Sequence, residues 1–289
     1  MKFLNKLACA ATVAMTVAGS ANAAGVVLND WVFNANGGGF EGGQAINEYL
    51  DINGNAFIQI NPTGGTSFTF TEHAVFNSAQ ADSNGALFPL TFAGGNITAT
   101  FEARGTGNFN GRFRFTSGFI RMYQNPISGQ YASTAGYFGA NLGTKIAEFE
   151  VFGGGGKVDA SGSPTNNGQV SVMAKANAGS LAPGYFFRGN GNDLSTEAIM
   201  GFAFTNANTV GSPSKRLVNE VACEYAGFTG AGCRPGTKPG TYANAATHFF
   251  VSNNGQFKLN EVPEPASLAL FGIALLGAGM ASRKRAGKA

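Results

Sequence analysis

The chain has 289 residues, of which 43 are glycine and 26 phenylalanine, and only 12% are charged. Glu, Lys and Leu are too sparse for an all-helical fold, whereas short strands joined by Gly and Asn turns suit this balance. The formal charge of +3 comes from the ends: residues 24–262 hold 13 Lys and Arg against 15 Asp and Glu, a net of −2, which excludes a basic nucleic-acid-binding body.

At the N-terminus, Lys2 and Lys6 precede an apolar stretch from Leu7 to Gly19, and Ala21-Asn22-Ala23 supplies small side chains for cleavage. This order is that of a secretory signal peptide cut between Ala23 and Ala24, so residues 1–23 leave before folding. Cys9 has no apolar run ahead of it and reads as part of that peptide, not as a lipid-attachment site.

Residues 24–262 read as one all-β domain, a single β-sandwich or jelly-roll-like unit with one short helix. Phe68 and Phe70 alternate with Ser67, Thr69 and Thr71. Ile97, Ala99 and Phe101 repeat the pattern, as do Phe113 with Phe115, and Ala147 with Phe149 and Val151. A period of two puts one face on a core and the other toward water. Asn53-Gly54 reads as a two-residue hairpin turn between strands 49–52 and 55–60, with Asn84-Gly85 and Asn254-Gly255 as similar turns. The Gly153–Gly156 run is expected to end a strand at Phe152 and to open a long flexible loop reaching Gly168. Helical spacing of Leu217, Val218, Val221, Ala222 and Tyr225 predicts the short helix over 214–225, stopped near Gly227. A brief turn begins at Asp193. Trp31 reads as a core anchor.

Cys223 and Cys233 enclose a short Gly-rich loop, and in an oxidising compartment such a pair is most simply a disulfide. The alternative, a redox or metal pair, lacks Cys-x-x-Cys spacing and a histidine close in sequence. The rest of the chain is poor in chemical motifs. No serine stands in Gly-x-Ser-x-Gly, and Gly156-Lys157 is followed by Val158, not by the Ser or Thr of a phosphate loop. Asp51, Asn53 and Asn55 resemble the start of a calcium loop, but Ala56 and Pro62 occupy its glycine and glutamate positions. His73 and His248 read as surface or core-edge residues. No catalytic residue, metal or cofactor is expected. The binding-like patch is Tyr123, Asn125, Gln130, Tyr131 and Tyr137, because flat aromatic faces with amide neighbours suit sugar rings. Ordinary strand and turn packing is the competing reading.

The last 27 residues begin Pro263-Glu264-Pro265, continue as an apolar run from Ala266 to Ala281 and end with Arg283, Lys284, Arg285 and Lys288. The run is shorter than the roughly 20 residues that span a bilayer, but terminal cations stay on the cytoplasmic side and can snorkel. A buried helix or a simple tail anchor would leave the Pro-Glu-Pro prefix without a purpose. The whole order resembles the PEP-CTERM sorting signal. That resemblance implies recognition by exosortase, a transient stay in the inner membrane and a tail, within 263–289, that is cut off or exchanged beyond Pro265. Further segments, among them Trp31–Asn34, Ile46–Leu50 and Phe204–Pro213, are similar to flocculation-associated PEP-CTERM proteins. The resemblance implies a secreted, matrix-associated protein of bacterial flocs, with exosortase, the secretion machinery and extracellular polysaccharide as partners and with no catalysis. The competing class is a secreted glycan-binding or glycan-active enzyme on a jelly-roll scaffold, which two facing carboxylates in a cleft would mark.

Overall fold

The computed structural model describes residues 28, 30–83, 86–89, 96–125, 131–133, 135–164, 167–233 and 241–262. Its strands are β1 (Trp31–Phe33), β2 (Gln44–Ile46), β3 (Tyr49–Gly64), β4 (Ser67–Ser83), β5 (Ala86–Pro89) and β6 (Asn96–Asn108). They continue with β7 (Arg112–Asn125), β8 (Thr144–Lys157), β9 (Gly168–Ala176), β10 (Phe186–Phe187), β11 (Ile199–Thr209) and β12 (His248–Glu261). Among the described residues, β3, β4, β6, β7, β8, β9, β11 and β12 each hydrogen-bond to the next, and β12 returns to pair with β3. The result is a closed eight-stranded up-and-down barrel. It corrects the expected sandwich or jelly roll. Those folds need connections that cross from sheet to sheet, whereas here each long strand lies beside its successor and β3 is paired on both edges.

Alternation decides which side chains enter the barrel. Phe68, Phe70 and Ala74 of β4, Phe149 and Val151 of β8, Val170 and Val172 of β9, and Phe249 and Val251 of β12 belong to one buried cluster. The outer positions between them carry Thr, Asn and charges. Arg121 of β7 bridges Glu102 of β6 and Glu148 of β8, with N···O distances of 2.8 Å to each. An apolar interior and ion pairs on the outer wall are the reverse of a lipid-facing barrel. One end is filled by the small sheet β10-β1-β2, whose Trp31, Phe33, Ile46 and Phe186 are fully buried in the same cluster. At the other end the Phe109 ring packs tilted against Phe68 with centroids 4.8 Å apart, and Val158 bridges to Pro164.

Two expected chain breaks are strand interior. Residues 49–64 form β3 without interruption, and Asn53-Gly54 sits beside a register shift between Asp51 and Asn53. Asn254-Gly255 lies inside β12. The glycines answer to crowding: a Cβ at Gly54 would lie 2.2 Å from the Val75 carbonyl oxygen, and one at Gly255 would lie 2.1 Å from that of Phe204. Asn84-Gly85 falls outside the described residues. The Gly153–Gly156 run likewise belongs to β8, with Gly154 at φ 107° and a register shift between Val151 and Gly153. The segment after it is not a free loop, because Asp159 Oδ1 accepts from Ser161 N at 2.8 Å and Ser163 N at 3.1 Å.

The expected helix is present as α1 (Lys215–Leu217) running into a π-helix, Val218–Tyr225. The Ser214 hydroxyl caps it by accepting from Leu217 N at 3.2 Å. Its apolar face, Leu217, Val218, Val221 and Ala222, packs on Phe57, Val75 and Phe250 of the outer barrel wall. The turn at Asp193 is a 3-10 helix, Leu194–Thr196, with Asp193 accepting from Ser195 N. Cys223 and Cys233 form a disulfide that ties the end of the helix to the loop after it.

The lumen contains one ionisable misfit. Glu72 of β4 faces a cavity of about 60 Å³ that it shares with Thr205 and Asn253, and it has no hydrogen-bond or ion-pair partner among the described residues. Asn253 Nδ2 is also buried and unpaired. Burial pushes the Glu72 carboxyl up to about 8 from 4.5. The folded barrel therefore keeps a proton that the unfolded chain releases, so the contribution of Glu72 to stability is fully present below about pH 4.5 and is lost as pH rises toward 8. Glu72→Gln is expected to flatten the dependence of Tm on pH across that window, with a gain on the order of 4 kcal/mol at its upper end. An unchanged slope in a thermal titration would refute this. For the disulfide, denatured but unreduced mature protein should yield no thiol on labelling. Replacing both cysteines by serine should cost about 3 kcal/mol in a denaturant titration.

Candidate binding surface

The outer wall carries two concave regions. The first lies where β3, β12 and β11 run side by side. Asn53 and Asn55 of β3 stand opposite Asn254 and Ser252 of β12. Asn254 Nδ2 donates to Asn53 Oδ1 at 2.7 Å, and Ser252 Oγ donates to the Asn208 carbonyl at 3.4 Å. With Asn206 and Asn208 of β11 these side chains line a groove of about 450 Å³ that contains no charged residue. Tyr131 stands at its rim, with its hydroxyl donating to the Val75 carbonyl at 3.3 Å. Burial pushes that phenol up to about 12, so it is a neutral donor at any physiological pH. A neutral amide offers both a donor and an acceptor, and rows of them match vicinal hydroxyls.

The second region is a wider groove of about 1300 Å³ over the glycine run of β8. Its floor is bare backbone. A Cβ at Gly154 would lie 2.2 Å from the Ser171 carbonyl, and one at Gly155 would lie 2.1 Å from that of Phe113, so the strands close in only because these residues are glycine. Met173 and Phe204 line the groove together with Arg112, Arg114 and Lys157, and Asn167 belongs to both grooves.

Among the described residues of the patch read from the sequence, only Tyr131 lines either groove. Asn125 is not a surface contact: it is fully buried, and its Nδ2 donates to Thr98 Oγ1 at 2.6 Å. Tyr137 stacks on Tyr225 with ring centroids 4.3 Å apart and so fastens the 131–142 segment to the helix. Tyr123 is half-buried on β7, with Lys145 of β8 as its register partner. Gln130 lies outside the described residues, as do the processing positions Ala21, Ala23, Ala24, Pro263, Glu264 and Pro265 and the cations Arg283, Lys284 and Arg285. Trp31 is fully buried. His73 meets the Tyr225 ring at 4.9 Å and His248 the Phe228 ring at 4.7 Å, and burial holds both imidazoles below their ordinary pKa. Glu102 and Glu148 are held by one arginine, and neither groove is lined by a carboxylate. Among the described residues no cluster of His, Cys, Asp or Glu has the composition of a metal site.

The residues of the amide groove were overlooked because Asn-Gly pairs read as turns. A signal was available: Asn53, Asn55, Asn206, Asn208, Ser252 and Asn254 all occupy the polar phase of an alternating strand.

No curated protein and no solved structure is detectably similar to the chain. The family model of the PEP-CTERM protein-sorting motif matches residues 261–285. Residues 261–285 thus carry a PEP-CTERM protein-sorting motif, the signal that marks a protein for exosortase.

Proposed function

We propose that the mature barrel is a non-enzymatic surface or matrix protein that holds secreted polysaccharide and so promotes aggregation of the producing bacteria into flocs. The sorting motif supports delivery outside the inner membrane. The observation that carries the binding role is the uncharged amide groove with Tyr131 at its rim. Sugar hydroxyls need donors and acceptors in fixed positions, and a β-ladder holds amides at the spacing of its strands. Each contact is weak, so attachment relies on many copies in one matrix, where effective concentration raises avidity. Grooves without a carboxylate offer no acid–base pair for cutting a glycosidic bond, which sets this reading above the glycan-active one.

Two measurements test the proposal. Mass spectrometry of the extracellular protein should find Ala24 at the N-terminus and nothing beyond Pro265, and Glu264→Ala should retain the precursor in the inner membrane. A secreted form that still carries Arg283 to Arg285 would exclude sorting by cleavage. In a pull-down with the strain's own exopolysaccharide, the pair Asn206→Ala and Asn254→Ala should weaken binding by about tenfold, the loss of one or two hydrogen bonds. Release of reducing sugars during the incubation would favour an enzyme instead.

A further inference from the structure

We infer that the groove over the glycine run takes an acidic polysaccharide, its carboxylate groups held by Arg112, Arg114 and Lys157. The inference rests on the polysaccharide reading and names the chemical class for a second part of the wall.

The first observation is charge placement. At two other places on the barrel wall opposite charges face each other: Glu150 stands across from Lys175, and Arg121 lies between Glu102 and Glu148. In this groove the pattern fails. Arg112 of β7 and Lys157 of β8 are direct register partners, and Arg114 lies two residues along β7 on the same face. Like charges directly opposite destabilise a ladder. No Asp or Glu lines the groove, and none of the three cations has an ion-pair partner among the described residues. The nearest carboxylate in sequence, Asp159, is turned onto its own loop, where it accepts from Ser161 and Ser163. All three cations are exposed. A body of net charge −2, from 13 cations against 15 anions in 24–262, thus concentrates uncompensated positive charge in this groove.

The second observation is the rest of the lining. Gly155, between outward-facing Arg114 and Ser171, carries no side chain, which lets a polymer lie against backbone there. Phe204 and Met173 supply an apolar wall for the faces of pyranose rings. Ser171 and Gln169 of β9 supply hydroxyl and amide partners, and arginine meets a carboxylate through two parallel hydrogen bonds. Three cations on one wall suit a sparsely charged polymer. They are too few for the dense phosphates of duplex DNA, where affinity scales with the number of phosphates neutralised.

The test uses the full mature protein in affinity electrophoresis with three probes: a polyuronate, neutral dextran and duplex DNA. Polyuronate should retard the wild type, and the retardation should decline with added salt. The triple variant Arg112→Gln, Arg114→Gln and Lys157→Gln should lose about tenfold or more of its polyuronate affinity. Its binding of the strain's own polysaccharide through the amide groove should persist, which also reports that it is folded. Arg114→Lys should recover part of the loss, since it restores charge without the two-pronged geometry. Polyuronate binding that is equal in the triple variant, or a wild type that prefers DNA, overturns the inference. If the exopolysaccharide binds and polyuronate does not, only this inference falls. If neither binds, the general reading falls with it.

Discussion

Everything in this fold depends on the seam between β3 and β12. Their ladder runs from Gln59 opposite His248 to Leu50 opposite Phe257 without a register shift, and it joins the first long strand to the last. Without it, a meander of alternating strands would expose two edges and leave its apolar face half covered. With it, every inward side chain finds a neighbour. The contacts are remote in sequence, so closing the loop carries an entropic cost that burial of the lumen offsets.

The seam also explains where the amide groove lies. Asn53 and Asn254 face each other across it, and their following glycines admit the neighbouring strands, β4 at Gly54 and β11 at Gly255. In the second concavity consecutive glycines of β8 let β7 and β9 approach, and the outward position at Gly155 carries no side chain. The cost is weaker local strand propensity, which closure of the barrel offsets. The opposite device operates on the far part of β3. There Phe57, Val75 and Phe250 point outward, and the helix with its disulfide covers them. Tyr137 and Tyr225 act as the rivet of that cover, which is why most of the tyrosines serve packing and not recognition.

Glu72 departs from the consistency of the lumen. It shares its cavity with Thr205 and with Asn253, whose Nδ2 is unpaired, so the barrel tolerates a polar centre inside an apolar shell. Such a centre costs stability wherever its proton is lost.

Local pattern alone determined the strands with a clear period, the short helix over 214–225, the disulfide partners, the C-terminal sorting motif and the burial of Trp31. Each rests on neighbours close in the chain or on a compartment. Tertiary structure alone decided closure into a barrel, because alternation states that one face is buried but not against what. It also decided that Asn53-Gly54, Asn254-Gly255 and Gly153–Gly156 are strand and not turn. A glycine that permits a turn equally permits close approach of another backbone, and only the position of Val75, Phe204, Ser171 and Phe113 distinguishes the two. The grooves follow from that distinction, so their residues became visible only once strands far apart in the chain were set side by side.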